Sequence, residues 1–252
     1  MEWRESNGVR WLQGGLDGGA AAFSTRLGGV SEPPFDSLNL GLLTADDGEA
    51  VGENRRRLAA ALGFEPEQVA FARQVHGARL IEHSELPSCH FVSPGATKRQ
   101  FDGAPEADGH VVREAGTAAL VFTADCLPVA VAGPKGMAML HAGWRGLAGG
   151  ILAAGAEAVE ATSAAIGPGI GPCCYEVGEE VLESFSGLGE GVAEGRMLDL
   201  PEVARRLLAA AGVERVESAG LCTYCEAELF YSHRRDDGRT GRQGGVGWIE
   251  AR

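Results

Sequence analysis

The chain is 252 residues long and 44% hydrophobic, enough to bury a sizeable core as one large domain or two small ones. A formal charge of -13 disfavours nucleic acid or an anionic membrane surface as the main partner. No stretch of about 20 apolar residues is present for a membrane span, and the start, MEWRESNGVRW, lacks the apolar segment of an export signal. The expectation is a cytoplasmic protein without membrane attachment. In such a chain the six cysteines read as reduced core thiols or metal ligands before they read as a disulfide framework.

In chain order, AAFST predicts a short strand, followed by a long loop broken by Gly28, Gly29, Pro33 and Pro34. A helix is predicted to begin between Asp46 and Glu49, to run through ENRRRLAAALG and to stop at Gly63. Residues 67–72 lead into QVHG, and RLIEH reads as a strand. Residues 84–110, with several prolines and glycines, read as a loop or flap and not as a linker dividing the chain. DGHVV, TAALVFT, PVAVAG and GMAMLHA form a succession of apolar strands, the last two joined by a hairpin through residues 133–136. ILAAGAEAVEAT predicts a helix, SAAIGPG a strand and turn, residues 175–185 a mostly helical stretch, and PEVARRLLAAAG a helix with Leu208 towards the core. VERVESAG is a further strand, and GGVGWIEA implies a pair of strands at the end. Alternating strands and helices predict a layered α/β-type domain. No GxGxxG or GxxxxGK[ST] motif and no internal repeat is present.

Three motifs carry candidate chemistry: QVHG with His76, TADCLPV with Cys126 and HAGWRG with His141. Two imidazoles and one thiolate can hold a zinc ion and leave its fourth position open. The same residues also suit a Cys–His nucleophilic pair, in which an imidazole lowers the Cys126 thiol for attack on an acyl carbon. Against both stands the plain reading of a buried cysteine and structural histidines. Asp125 follows a strand and would point away from the ligand face, towards a supporting role. CTYC at 222–225 has metal or redox spacing, but no second CxxC accompanies it, so buried thiols are the default; Cys173 and Cys174 cannot aim the same way in an extended segment. Arg26, Arg145, Arg234, Arg235, Arg239 and Arg242 sit in loop-like contexts where a guanidinium can grip phosphate or carboxylate.

The ordered set STRLGGVS, SLNLG, ENRRRL, QVHG, EADG, TADCLPV, HAGWRG, IGPGIGPCCYEVG, LCTYC and SHRRDDGRTGRQ resembles one family over nearly the whole chain. It is the family of multicopper polyphenol oxidase or laccase-like proteins, also named for a peptidoglycan-editing factor and for purine nucleoside phosphorylase activity. The resemblance implies a single compact α+β domain over residues 1–252, a layered sandwich of mixed sheets with flanking helices. It implies a zinc site, which is also the catalytic site, made by His76, Cys126 and His141. It implies phosphorolysis of adenosine, inosine, guanosine and methylthioadenosine to base plus (methylthio)ribose 1-phosphate, and deamination of adenosine. Purine nucleosides and phosphate are then the partners, with Arg26, Asn39, Arg55 and Arg145 as candidates for the substrate shell. The alternatives are a copper-dependent polyphenol oxidase and a hydrolase that edits peptidoglycan precursors. Six histidines in the whole chain argue against a conventional multicopper centre.

Overall fold

The computed structural model describes residues 1–82 and 104–250. Strand periodicity sets its layers. In β8 (Leu127–Gly133) Val129 and Val131 face one apolar cluster, while Ala130 and Ala132 face another. β9 (Gly136–Ala142) does the same with Ala138 and Leu140 against Met137 and Met139. Both strands are therefore buried on both faces, and the alternation is apolar against apolar.

One six-stranded sheet has the order β1-β2-β3-β14-β7-β4. Its strands are β1 (Glu2–Ser6), β2 (Val9–Leu16), β3 (Gly19–Ser24), β4 (Val69–Ala70), β7 (Ala118–Thr123) and β14 (Gln243–Ile249). The other has the order β13-β10-β8-β9-β6-β5, with β5 (Leu80–Glu82), β6 (Gly109–Val112), β10 (Ser163–Ile166) and β13 (Arg215–Ser218). A small ladder, β11 (Ala193–Glu194) with β12 (Met197–Leu198), lies apart. The first sheet packs its outer face on α1 (Gly48–Leu62) through Val51, Leu58 and Ala59. The second packs on α2 (Trp144–Ala148), α3 (Ile151–Val159), α4 (Glu179–Phe185) and α5 (Leu200–Ala210). The result is a mixed α+β sandwich, helix–sheet–sheet–helix, as expected for this sequence.

Between the sheets small residues face long ones. A Cβ on Gly245 would stand 2.6 Å from both Met139 Cε and Pro128 Cβ. A Cβ on Gly247 would stand 2.2 Å from Met137 Cε. The glycine-rich β14 thus gives the methionines their room while Val246, between the two glycines, packs towards α1. That explains how a strand with little side-chain volume sits in the middle of a sheet, between β3 and β7.

Local signals act as predicted at several ends. The Asp47 carboxylate accepts the Glu49 N–H at the start of α1, and Gly63, with φ 81, closes it in the left-handed conformation. The hairpin β8–β9 pairs Gly133 with Gly136. Other expectations are corrected. Gln243–Ile249 form one strand, β14, instead of a pair, because that single strand already pairs on both edges. Residues 175–178 are not helical, and α4 starts at Glu179. The antiparallel hairpin β1–β2 precedes the first predicted strand. The expected flap at 84–110 lies outside the described residues up to 103; residues 109 and 110 already belong to β6. Among the described residues no helix is long and apolar enough to cross a membrane.

Candidate metal centre and its cavity

Consecutive strands β7 and β8 belong to different sheets, and only residues 124–126 join them. Cys126 therefore sits in the crossover between the sheets, not at the end of a strand within one sheet. His141 lies one residue before the end of β9, paired with Pro128 of β8. His76 is in the segment between β4 and β5, with φ 60. The fold brings all three side chains together, with their ligand atoms within 4.8 Å of one another. The His76 and His141 rings meet edge to face, 4.8 Å between centroids.

One carboxylate organises two of the three. Asp108 accepts N–H bonds from Val75, His76 and Gly77 at 3.1, 2.9 and 2.7 Å. It also accepts from Nδ1 of His141 at 2.8 Å. An ionised carboxylate only accepts, so His141 Nδ1 carries the proton and Nε2 is turned to the Cys126 side. Three converging amides hold His76 in a left-handed conformation that a non-glycine residue rarely adopts. Gln74 fixes the same segment beside β7, exchanging two hydrogen bonds with the Phe122 backbone at 2.8 and 2.7 Å.

The glycines of HAGWRG serve close approach. A Cβ on Gly143 would lie 2.8 Å from Cys126 Sγ, and one on Gly146 would lie 2.9 Å from the Gly77 carbonyl oxygen. Larger residues would push β9 and α2 away from the other two motifs.

The electrostatics suit a thiolate ligand. Burial alone would raise the Cys126 thiol, but the His141 charge and hydrogen bonds from His141 and His76 bring it down to about 6. Burial would lower His141, but the Cys126 thiolate and Asp108 raise it to about 9. Asp108 is held below its ordinary value: burial raises it, and the bonds from His141 and Gly77 outweigh that. His76 is exposed, Cys126 half-buried and His141 buried, so the cluster opens on the His76 side. Two imidazoles and a thiolate with an open side fit a zinc ion with a free coordination position. The same donors suit a single copper ion.

The cluster forms part of the wall of a cavity of about 480 Å³. Phe122, Trp144, Tyr175 and Ile170 give it apolar faces; Arg145, Arg234, Arg242 and His233 give it polar ones. The Asp125 carboxylate points to support, as expected. It accepts the Thr223 hydroxyl and the Arg234 amide, both at 2.7 Å. Its φ of 89 turns the chain at the crossover, so the reason is a turn and not strand alternation.

Of the four residues expected in the substrate shell, Arg145 lines this cavity. Arg26, Asn39 and Arg55 are not among its lining residues. Arg26 is spent on the loop carbonyls of Asp36 and Ala227, at 2.7 and 3.1 Å, and stacks over Tyr231. Arg55 is wholly buried, donates to the Leu40 carbonyl at 2.9 Å and lies over the Phe71 and Phe122 rings. Burial brings its guanidinium down to about 9. Asn39 accepts the Gly41 and Arg242 amides at 3.0 and 2.8 Å, so it positions the cavity loop from behind. Asp108, the acid of EADG, is a functional residue that the three metal motifs do not mark; its sequence signal is an acid immediately before a buried strand. His110 is fully buried in β6, and His83 and His90 lie outside the described residues. Among the described residues no second metal-competent cluster contains histidine.

The family model described as multi-copper polyphenol oxidoreductase laccase matches residues 20–250. The chain is 40% identical to purine nucleoside phosphorylase YfiH of Escherichia coli (strain K12), covering 98% of this chain and 97% of that protein. It is 41% identical to a purine nucleoside phosphorylase of Deinococcus radiodurans, covering 89% and 87%. The crystal structure of YlmD from Geobacillus stearothermophilus superposes with a TM-score of 0.84 at 36% identity, covering 98% of each chain. That of Neisseria meningitidis protein NMB0706 gives 0.80 at 33% identity, covering 96% and 99%. The chain therefore belongs to the family described as multi-copper polyphenol oxidoreductase laccase, together with the relatives named purine nucleoside phosphorylase.

Proposed function

We propose that the chain is a zinc-dependent purine nucleoside enzyme whose metal is held by His76, Cys126 and His141. Its reactions are phosphorolysis of adenosine, inosine, guanosine and methylthioadenosine, and deamination of adenosine. The observation that carries this reading is the His–Cys–His cluster at the wall of a cavity with aromatic faces and three arginines. The names of its relatives support the nucleoside class.

A flat purine suits the Phe122, Trp144 and Tyr175 faces, since aromatic rings stack with offset or edge contacts. Phosphate suits Arg145 and Arg242, whose guanidinium forks match its oxygens. In phosphorolysis a phosphate oxygen bonds to C1′ while the bond from C1′ to the base breaks, and the base leaves with that electron pair. The arginines hold the nucleophile in line, and the apolar faces exclude water that would otherwise hydrolyse the ribosyl centre. In deamination water adds at C6 and ammonia leaves. A bound zinc ion supplies a Lewis acid for either reaction. Asp108 keeps the proton of His141 on Nδ1, away from the metal side.

The test is metal-quantified protein incubated with adenosine, with and without phosphate, beside Cys126→Ala. Adenine and ribose 1-phosphate that require phosphate establish phosphorolysis; inosine alone establishes deamination; both are expected to vanish in Cys126→Ala. No product from the zinc-loaded enzyme would overturn the purine reading. Oxidation of a phenol by copper-loaded protein, with no nucleoside product, would replace it with oxidase chemistry.

A further inference from the structure

A second group of thiols lies outside the residues lining the cavity. Cys173, Cys174, Cys222 and Cys225 have all four sulfurs within 4.8 Å of one another. Cys225 Sγ is 3.6 Å from Cys173 Sγ and 3.5 Å from Cys174 Sγ. All four are free thiols. A disulfide would need sulfurs about 2.05 Å apart. A tetrahedral zinc ion with bonds of about 2.3 Å would hold its sulfurs about 3.8 Å apart, close to these two separations.

The backbone explains the convergence. Residues 171–175 form a tight turn in which the Cys174 and Tyr175 amides both donate to the Gly171 carbonyl, at 3.0 and 3.1 Å. In a turn, unlike an extended segment, neighbouring side chains can share a side, so the expectation that Cys173 and Cys174 must diverge is corrected. The CTYC segment turns as well, with the Glu226 amide donating to the Cys222 carbonyl at 3.0 Å. A parallel bridge between Gly169 and Cys222 ties the two turns together.

Hydrogen bonding also holds the two turns and one of the sulfurs in place. The Gly171 amide donates to Cys222 Sγ at 3.2 Å. An N–H aimed at a sulfur suits the thiolate, the form a metal takes. Arg235, paired with Asp236, donates to the Thr223 and Tyr224 carbonyls at 2.8 and 3.2 Å and so holds the CTYC turn. Gly171 itself leaves room: a Cβ there would press to 3.3 Å from Cys222 Cβ and 3.5 Å from Cys173 Sγ.

We propose that Cys173, Cys174, Cys222 and Cys225 form a second metal site, a closed four-thiolate centre that takes a structural zinc ion. With four protein ligands it keeps no open position and does no chemistry of its own. Its effect is mechanical. It clamps the turn preceding Tyr175, a cavity wall residue, to the turn holding Thr223, whose hydroxyl fixes Asp125.

The test counts metal, so it stands or falls independently of any nucleoside activity. Protein purified under reducing conditions without chelator is analysed for zinc and iron, and its free thiols are titrated. Wild type is expected to hold about two zinc ions per chain, His76→Ala/His141→Ala about one, and Cys222→Ser/Cys225→Ser about one. Cobalt added to metal-free His76→Ala/His141→Ala is expected to give intense thiolate-to-metal absorption of a tetrahedral site; this arm needs no cysteine variant to fold. The proposal is overturned if reduced, zinc-saturated wild type holds one ion that survives Cys222→Ser/Cys225→Ser, or if cobalt gives no such absorption. Iron in place of zinc, or a disulfide among these cysteines that forms whether or not zinc is supplied, would also overturn it.

Discussion

Asp108 Oδ1 accepts both Nδ1 of His141, at 2.8 Å, and the amide of His76, at 2.9 Å. One oxygen thereby sets the tautomer of one candidate ligand and the backbone of another. Its partner oxygen takes the Val75 and Gly77 amides. Asp108→Asn would turn a donor towards donors already present. Such a buried mismatch costs roughly 1–3 kcal/mol, and loss of a carboxylate behind a ligand histidine typically weakens metal binding about 10–100-fold. Competition with a chromophoric chelator measures the second effect. Unchanged zinc affinity would show that Asp108 is merely structural.

The ionisation of the metal-free site has a clear sign. Cys126 is lowered from 9.0 to about 6, so the stability it contributes is present above its ordinary value and lost as pH falls towards 6. His141 is raised from 6.5 to about 9, so its contribution is present below 6.5 and lost as pH rises towards 9. Between about 6.5 and 9 the two slopes oppose each other and cancel, and the pair leaves stability nearly flat with pH. The ionisation is visible spectroscopically instead. The thiolate absorbance of metal-free wild type minus that of Cys126→Ser is expected to vanish on acidification with a midpoint near 6. A midpoint near 9 would mean an ordinary thiol.

Gly143 has φ -79 and ψ 170, a conformation open to any residue, so replacing it tests space alone. In Gly143→Ala the new methyl meets Cys126 Sγ at 2.8 Å. Zinc affinity and turnover are expected to fall at least about tenfold, because ligand geometry tolerates only small displacement, while the folded structure survives. Full zinc occupancy with wild-type turnover would show that the sulfur can move aside freely.

The sheet interface is tested at Gly245. Gly245→Ala presses on the Pro128 ring, which cannot swing away, as well as on Met139. Overpacking of this kind costs about 1–3 kcal/mol, so the melting temperature is expected to drop by several degrees. Gly15→Ala in β2, with nothing within 4 Å of its Cβ, is the control and should be neutral or slightly stabilising. Equal melting temperatures for the two variants would refute the packing account.

Arg242 lines the cavity, with its amide held by Asn39. Arg242 Nη1 donates to the Thr240 and Gly241 carbonyls at 3.1 and 2.8 Å; under the phosphorolysis reading, Arg242→Met is expected to raise KM for phosphate at least about tenfold, since a charged contact is lost. Zinc content should stay at the wild-type level. A change confined to the nucleoside KM would move Arg242 to the base or ribose end of the cavity.

The sequence carries those features that depend on neighbours along the chain. Asp47 and Gly63 bound α1 because capping uses atoms a few residues apart. The β8–β9 hairpin is legible because its turn residues adjoin its strands. The motifs around His76, Cys126 and His141 single out the three residues whose side chains converge, though spacing alone left a metal site and a nucleophilic pair both open. Tertiary structure decided what depends on contacts between distant segments. β7 and β8 read as similar apolar strands, yet they join different sheets, and that change of sheet is what presents Cys126 to the histidines. Asp108 gains its role from amides more than thirty residues earlier. Cys173 and Cys174 meet the CTYC turn across some fifty residues, through a bridge no local pattern announces. Arg26 and Arg55, which look like substrate ligands in isolation, are taken up by loop carbonyls and aromatic rings. Local propensity and capping are short-range and are written residue by residue; sheet partners, close approaches and shared carboxylates follow from which surfaces fit once the whole chain is packed.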